Sequence, residues 1–180
     1  MAGIIKVNQY QDFNGNTLLT SDGSGNLTTQ KINEPFLKVI RASSNQTSIS
    51  SATATKIQFN SEDALTKTGT WDSTNYRWTP GVAGKYLISI NVEIVPASST
   101  AKQCLAYIYK NGSSICYGYL NMNDMYLRSS GSNVIGAVTI DTATATDYYE
   151  GFVYMQTNSG TVSVRAQADN TNLIGYRIGS

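Results

Sequence analysis

Histidine is absent from this 180-residue chain, and with it go the commonest general base, the usual partner of a catalytic serine or cysteine, and the most frequent zinc ligand. Charge is scarce too: Asp, Glu, Lys and Arg make up 14% of residues, against about a quarter in ordinary globular domains, and the net charge is +1. Lys and Arg stand singly, so the electrostatic footprint of a nucleic-acid binder is missing and nucleic acid is not an expected partner. No apolar run reaches the length of a membrane-spanning helix. The opening MAGIIKVNQYQ has only two successive isoleucines before polar residues return, too short an apolar region for a secretion signal. These absences predict no membrane insertion and synthesis in a cytoplasm. Only three prolines occur, which argues against a disordered linker of any length.

Cysteine is nearly missing as well. Cys104 and Cys116 flank the turn signal KNGSS inside an apparent hairpin. With Asn111 and Gly112 as a two-residue turn, strict pairing sets Cys104 opposite Tyr119 and Cys116 opposite Tyr107, on different faces of the ribbon, unless a bulge realigns them. Buried, unpaired thiols are expected, and neither has the His or Lys/Arg cluster that makes a reactive thiolate.

What is present favours pleated sheet. Hydrophobic residues reach 41%, twelve of the residues are tyrosine, and the polarity comes from Ser, Thr, Asn and Gly. From Pro35 onward apolar residues alternate with period two between turn residues, and helical periodicity is nowhere sustained. Strands are predicted at 36–42, 54–59, 71–78, 85–95 and 104–110, then at 114–120, 133–140, 148–156, 161–168 and 173–178. This many short strands predicts an all-β, two-sheet sandwich or jelly roll. Residues 1–34 differ: IIKVNQY, TLLT and LTTQKI are short apolar patches between the turn signals FNGN and SDGSGN. Such a segment forms small ribbons but buries no core alone, so it is expected to be an arm leaning on something else, followed by a domain at 35–180.

The glycine-rich SDGSGN offers a choice of chemistries. Asp22, Ser24 and Asn26 stand where an EF-hand-like calcium loop has its first ligands, but Leu27 replaces the invariant glycine and Asn33 the bidentate glutamate. A phosphate cradle would need a strand-to-helix setting and a Lys-Ser/Thr pair, which are missing. The stretch reads as a turn, with Asp22 and Asn26 capping it.

The stretch WDSTNYRWTPGVAGKYLISI, residues 71–90, resembles the signature of the C1q/TNF-like superfamily in Trp71-Asp72, Trp78, Pro80, Gly84 and Tyr86. FLKVIRAS is similar to that family's first strand, IYKNG to its central hairpin and LIGYRI to its closing Phe-x-Gly-aromatic strand, with Leu173 or Ile174 where an aromatic is common. The resemblance covers residues 35–180 and implies a jelly roll assembled as a homotrimer around a threefold axis. YLISINVEI and NVIGAV would then supply the axis contacts, one alternating set of side chains filling each protomer's core and the other meeting its neighbours. Tyr86, Ile88, Ile90 and Ile135 are the expected trimer-interface residues. The segment VNQYQDFNGNTLLTSDGSGNLTTQKI resembles the starts of tailed-bacteriophage virion proteins, in which a short ribbon precedes a trimeric fibre or knob.

Candidate chemistry is thin. The acids are spread through loop-like stretches without a supporting cluster, so a glycosidase pair is not expected. Asp124, Asp147 and Asp169 are loop acids that serve either as hydrated surface charge or as calcium ligands, since some members of the resembled family hold calcium near the axis. CYGYLNMNDMYLRSS mixes tyrosines with Asn and Ser, the composition of adaptable polar binding surfaces in which a ring stacks on a sugar face. Tyr117, Tyr119 and Tyr126 are therefore candidate ligand-binding residues, the competing role being core or trimer packing.

Together these readings predict a non-enzymatic, homotrimeric virion surface protein without a cofactor, calcium apart. Its arm would hold capsid or tail proteins, and its knob would bind host-surface glycan or decorate the particle. A capsid cement protein without a ligand and a free C1q-like lectin or signalling module are the alternatives.

Overall fold

The computed structural model describes residues 9–15, 17–21, 23–25, 27–29, 34–65, 68–96, 101–122, 133–158 and 161–179. The chain divides into two compact units, Met1–Glu34 and Pro35–Ser180.

In the first unit β1 (Gln9–Gln11), β2 (Thr17–Ser21) and β3 (Leu27–Thr29) form an antiparallel ribbon in that order. Asp12 starts the first turn: its carboxylate accepts the Asn14 N–H at 2.9 Å and its carbonyl accepts that of Gly15. Gly15 can donate there because its φ of 80° costs a residue without Cβ nothing. Asp22 and Asn26 lie outside the described residues. Tyr10 is 55% exposed and Phe13 fully so, which leaves this ribbon's described aromatics without a core.

The second unit holds β4 (Phe36–Ile40), β5 (Gln46–Ile49), β6 (Thr55–Lys56), β7 (Ser61–Leu65), β8 (Thr70–Asp72), β9 (Arg77–Thr79) and β10 (Gly84–Pro96). There follow β11 (Ala101–Lys110), β12 (Ser113–Asn121), β13 (Asn133–Ala143), β14 (Tyr149–Thr157), β15 (Val162–Val164) and β16 (Asn172–Gly179). One sheet runs β5-β15-β10-β16-β4-β7 with β13 on the other side of β10; the second runs β12-β11-β14-β9-β8 with β6 on β14. All these pairings are antiparallel. The all-β, two-sheet expectation holds.

The core lies between the sheets. On β10 the alternation puts Tyr86, Ile88, Ile90, Val92 and Ile94 inward, all without exposed surface, within one cluster that includes Cys104, Ala106 and Ile108 of β11 and Val153 and Met155 of β14. Full burial of each Val, Ile or Met among them is worth about 1.5–3 kcal/mol. Trp78 closes one end of this core: its ring is fully buried, 5.8 Å edge-on to Tyr86 and 6.1 Å from Tyr149. Its remaining space exists because Gly175 of β16 has no side chain; a Cβ there would stand 2.0 Å from Trp78 Cζ3. The glycine of LIGYRI and the second tryptophan of WDSTNYRW are thus two halves of one packing arrangement. A second close approach lies between the sheet edges, where a Cβ on Gly118 of β12 would stand 1.9 Å from the Gly136 carbonyl oxygen of β13.

Two sequence expectations are corrected here. Residues 71–78 are not one strand but a hairpin of β8 and β9, because Asp72 folds the chain back on itself. Its Oδ1 accepts the Thr74 and Asn75 N–H groups at 3.0 and 2.9 Å, and its Oδ2 accepts the Asn75 amide. The second correction concerns the cysteines. Asn111 and Gly112 do form the tight turn, with φ of 51° and 79°, but a bulge between Ile108 and Tyr109 shifts the pairing by one residue. Cys104 therefore faces Leu120 and Cys116 faces Ile108, so both sulfurs point to the inner side of the sheet rather than to opposite faces. Both are free thiols, Cys104 buried and Cys116 half-buried.

Candidate functional site

The residues assigned to a trimer interface do not face outward. Tyr86, Ile88 and Ile90 have no exposed surface in the single chain and Ile135 only 5%. Side chains sealed inside one protomer have nothing to offer a second copy, so that assignment is corrected. The other parity of the same strands carries the exposed apolar surface. Ile140, Leu87, Tyr176 and Phe36 lie side by side across β13, β10, β16 and β4, and Val138, Ser89, Ile174 and Lys38 form the next row. Val138, Ile140, Tyr176 and Ile178 are 45% to 62% exposed. Phe36 and Tyr176 meet edge-on at 6.3 Å. At the far end this face is covered by the segment before β16: Glu93 is buried, with Arg165 at 3.0 Å and the Asn170 amide at 3.1 Å.

The second sheet also has an outward face, and Tyr117 and Tyr119 are on it, 60% and 53% exposed. The pairing sets Tyr117 beside Tyr107 and Tyr107 beside Phe152, and it sets Tyr119 beside Leu105 and Leu105 beside Tyr154. Tyr126 and Asp124 lie outside the described residues. Burial, followed by the neighbouring tyrosines, pushes the Tyr107 hydroxyl up from its ordinary pKa, so it is neutral at physiological pH.

Asp147 and Asp169 stand in different loops. Asp147 is already satisfied by protein donors: the Thr144 N–H at 2.8 Å, the Asn111 amide at 2.7 Å and the Lys110 ammonium at 3.3 Å. Those bonds, the Thr144 backbone bond foremost, hold its pKa down to about 2. A carboxylate so filled, beside an ammonium, does not fit a calcium ligand. Asp169 is exposed, and no group of three potential ligands that could hold an ion occurs among the described residues. Lys110 also bonds Asp141 at 2.8 Å, and Asp141 accepts the Tyr149 hydroxyl at 2.7 Å. Burial pulls the Lys110 ammonium down, but its two carboxylate partners outweigh that and leave its pKa raised. Asp72 with Arg77, Glu93 with Arg165 and Glu150 with Lys56 are likewise tied into ion pairs. These charges hold loops and strands in place.

No protein-family model and no curated protein matches this chain. Solved structures do. Eiger TNF from S. frugiperda superposes with a TM-score of 0.61 at 8% identity, covering 82% of this chain and 94% of that one. The fold is a C1q/TNF-like jelly roll. Murine APRIL at pH 5.0 matches with a TM-score of 0.59 at 9% identity over 81% of this chain and 99% of its own. The globular domain of zebrafish complement 1qA gives 0.52 at 13% identity, over 81% of this chain and 97% of its own. At these identities the C1q/TNF-like likeness is one of fold. In this chain's own structure Trp78 and Gly175 meet in the core, and Gly84 enters β10 at φ 157°, where a Cβ would stand 2.5 Å from the Gly179 carbonyl oxygen.

Proposed function

We propose that this C1q/TNF-like chain is a non-enzymatic, homotrimeric bacteriophage virion surface protein. Residues 1–34 attach it to capsid or tail, and the jelly roll projects outward as an adhesion knob. The observation that carries the assembly is the outward face of the seven-stranded sheet. Its core-facing side already fills the protomer's interior, yet Val138, Ile140, Tyr176 and Ile178 remain exposed on the opposite side beside Leu87, Phe36 and Ile174. A contiguous apolar face of this kind marks an interaction surface, and a closed cyclic assembly covers it in every copy. The virion reading is supported by the arm, whose sequence resembles the starts of phage virion proteins and whose Tyr10 and Phe13 are exposed on a ribbon of very short strands. Three identical knobs on one rigid assembly gain effective concentration toward a repetitive host surface without any single strong site.

Sedimentation of the full-length protein at micromolar concentration tests the assembly. A trimer is expected, and the Val138→Lys/Ile140→Lys variant is expected to sediment as a folded monomer, because two ammonium groups would have to be buried at the contact. A monomeric parent protein, or a variant that trimerises as well as the parent, overturns the reading.

A further inference from the structure

The outward face of the six-stranded sheet is organised in cross-strand rows. Tyr117, Tyr107 and Phe152 form one; Tyr119, Leu105 and Tyr154 form the next; Asn121, Gln103 and Gln156 form the third. Successive rows are two residues apart along each strand, or about 7 Å. The rings support one another: Tyr107 lies 5.6 Å from Tyr117 and 5.9 Å from Tyr109, and Tyr109 stacks on Phe152 at 4.1 Å. At the polar end the Gln103 amide donates to Gln156 Oε1 at 3.0 Å, and its Oε1 accepts the Tyr119 hydroxyl at 3.4 Å. Between these rows lies an open cleft of about 640 Å³ lined by Gln103, Leu105, Tyr107, Tyr117, Tyr119 and Tyr154.

The six lining side chains are Gln, Leu and Tyr, none of them an Asp, Glu, Lys or Arg, and Lys56, which lies over the neighbouring Phe152 ring, is paired with Glu150. An acidic or basic ligand would give up its hydration there without a counter-charge. An aromatic bed of mutually tilted rings, bordered by amides and phenol hydroxyls, instead suits a ligand with apolar C–H faces and a hydroxyl rim. We infer that this cleft binds a neutral oligosaccharide, its sugar rings lying over the Tyr117 and Tyr119 rows and its hydroxyls bonded by Gln103, Gln156 and the tyrosine hydroxyls. The two aromatic rows, about 7 Å apart, leave room for at least two linked sugars running along the strands. This assignment deepens the adhesion reading above and rests on it for the ligand's setting, a host surface; its chemistry stands on the cleft alone. The ring positions were half legible in sequence through Tyr117 and Tyr119; Tyr107 and Gln103 join them from the hairpin partner β11, in a register set by its bulge, and Tyr154 and Gln156 come from β14, farther along the chain.

The test titrates full-length protein with neutral trisaccharides of β-linked glucose, galactose and N-acetylhexosamine, and with carboxylated counterparts, by saturation-transfer NMR and calorimetry. At least one neutral trisaccharide is expected to bind, with the carboxylated ones weaker. Tyr117→Ser and Tyr119→Ser, at exposed positions, are expected to keep the melting temperature and the trimer while each weakens binding by roughly three- to tenfold. Gln103→Leu, which keeps the aromatic bed, is expected to weaken it as well. Failure of every neutral trisaccharide at millimolar concentration, preference for the carboxylated ones, or full binding by both tyrosine variants overturns the assignment. So does dissociation of the trimer by Tyr117→Ser, since the face would then be a subunit contact. The two readings fail separately: a trimer without sugar binding removes the cleft assignment alone, and a sugar-binding monomer removes the assembly alone.

Discussion

Adding one methyl group to Gly175 should unseat the largest side chain in the core. A Cβ at this position stands 2.0 Å from Cζ3 of Trp78 and 2.6 Å from both Cε3 and Cη2, so the overlap with an ordinary carbon contact is about 1.5 Å. The indole has little room to retreat: Tyr86 and Tyr149 bracket it, and a Cβ at Gly69 would lie 2.5 Å from its Nε1. Overpacking of this kind costs about 1–3 kcal/mol, and the tight box around Trp78 puts Gly175→Ala at the upper end. At about 2–4 °C per kcal/mol for a chain of this size, the melting temperature should fall by roughly 6–12 °C at fixed protomer concentration. A double-mutant cycle isolates the contact. Trp78→Leu alone opens a cavity and destabilises, but in its presence Gly175→Ala should cost far less, because the ring it collides with is gone. The reasoning fails if Gly175→Ala melts within a degree of the parent, or if the two substitutions are simply additive.

Three further outcomes follow from the same geometry. Asp147 has a folded pKa of about 2 against 3.8 in a model peptide, so the stability it contributes is present above about pH 4 and is lost as the pH falls toward 2. Solvent screening limits this to no more than about 1 kcal/mol, and Asp147→Asn should flatten the urea-unfolding profile across that window, parallel profiles being the contrary result. Burial pushes the Cys104 thiol up, so iodoacetamide at pH 8 should leave Cys104 unmodified in the folded protein and label it after denaturation; equal labelling in both states would contradict its placement. Deleting residues 1–34 should leave the jelly roll folded and trimeric by sedimentation while abolishing its incorporation into particles, and normal incorporation would remove the anchoring role.

Much of the architecture was legible because a half-buried strand writes its period into the chain. The alternation in KYLISINVEIV located β10, and Asn111-Gly112 located the β11–β12 hairpin because the tight turn needs positive φ at both residues. WDSTNYRW misled because an Asx turn within it left the flanking residues strand-like in composition while reversing the chain. The trimer-interface residues were misassigned for a different reason. Only β13 carries apolar residues on both parities; on β10 the strongly apolar parity of Ile88 and Ile90 is core, while the outward one mixes Leu87 with Lys85, Ser89 and Asn91, and the outer face is apolar because Val138 and Ile140 of β13 and Tyr176 of β16 stand beside it.

What the sequence alone determined was therefore local: strand identity, the primed turn, the separate character of residues 1–34, and the lack of histidine and clustered charge. Tertiary structure decided everything that depends on pairing distant segments. It chose which face of β10 is core and shifted the cysteine register through a bulge. It also set Gly175 under Trp78 and aligned Tyr117, Tyr107, Tyr119 and Tyr154 into one cleft. The physical reason is that side-chain alternation is a property of each strand by itself, whereas burial, register and close approach belong to the neighbour, and a strand's own residues do not name its neighbour.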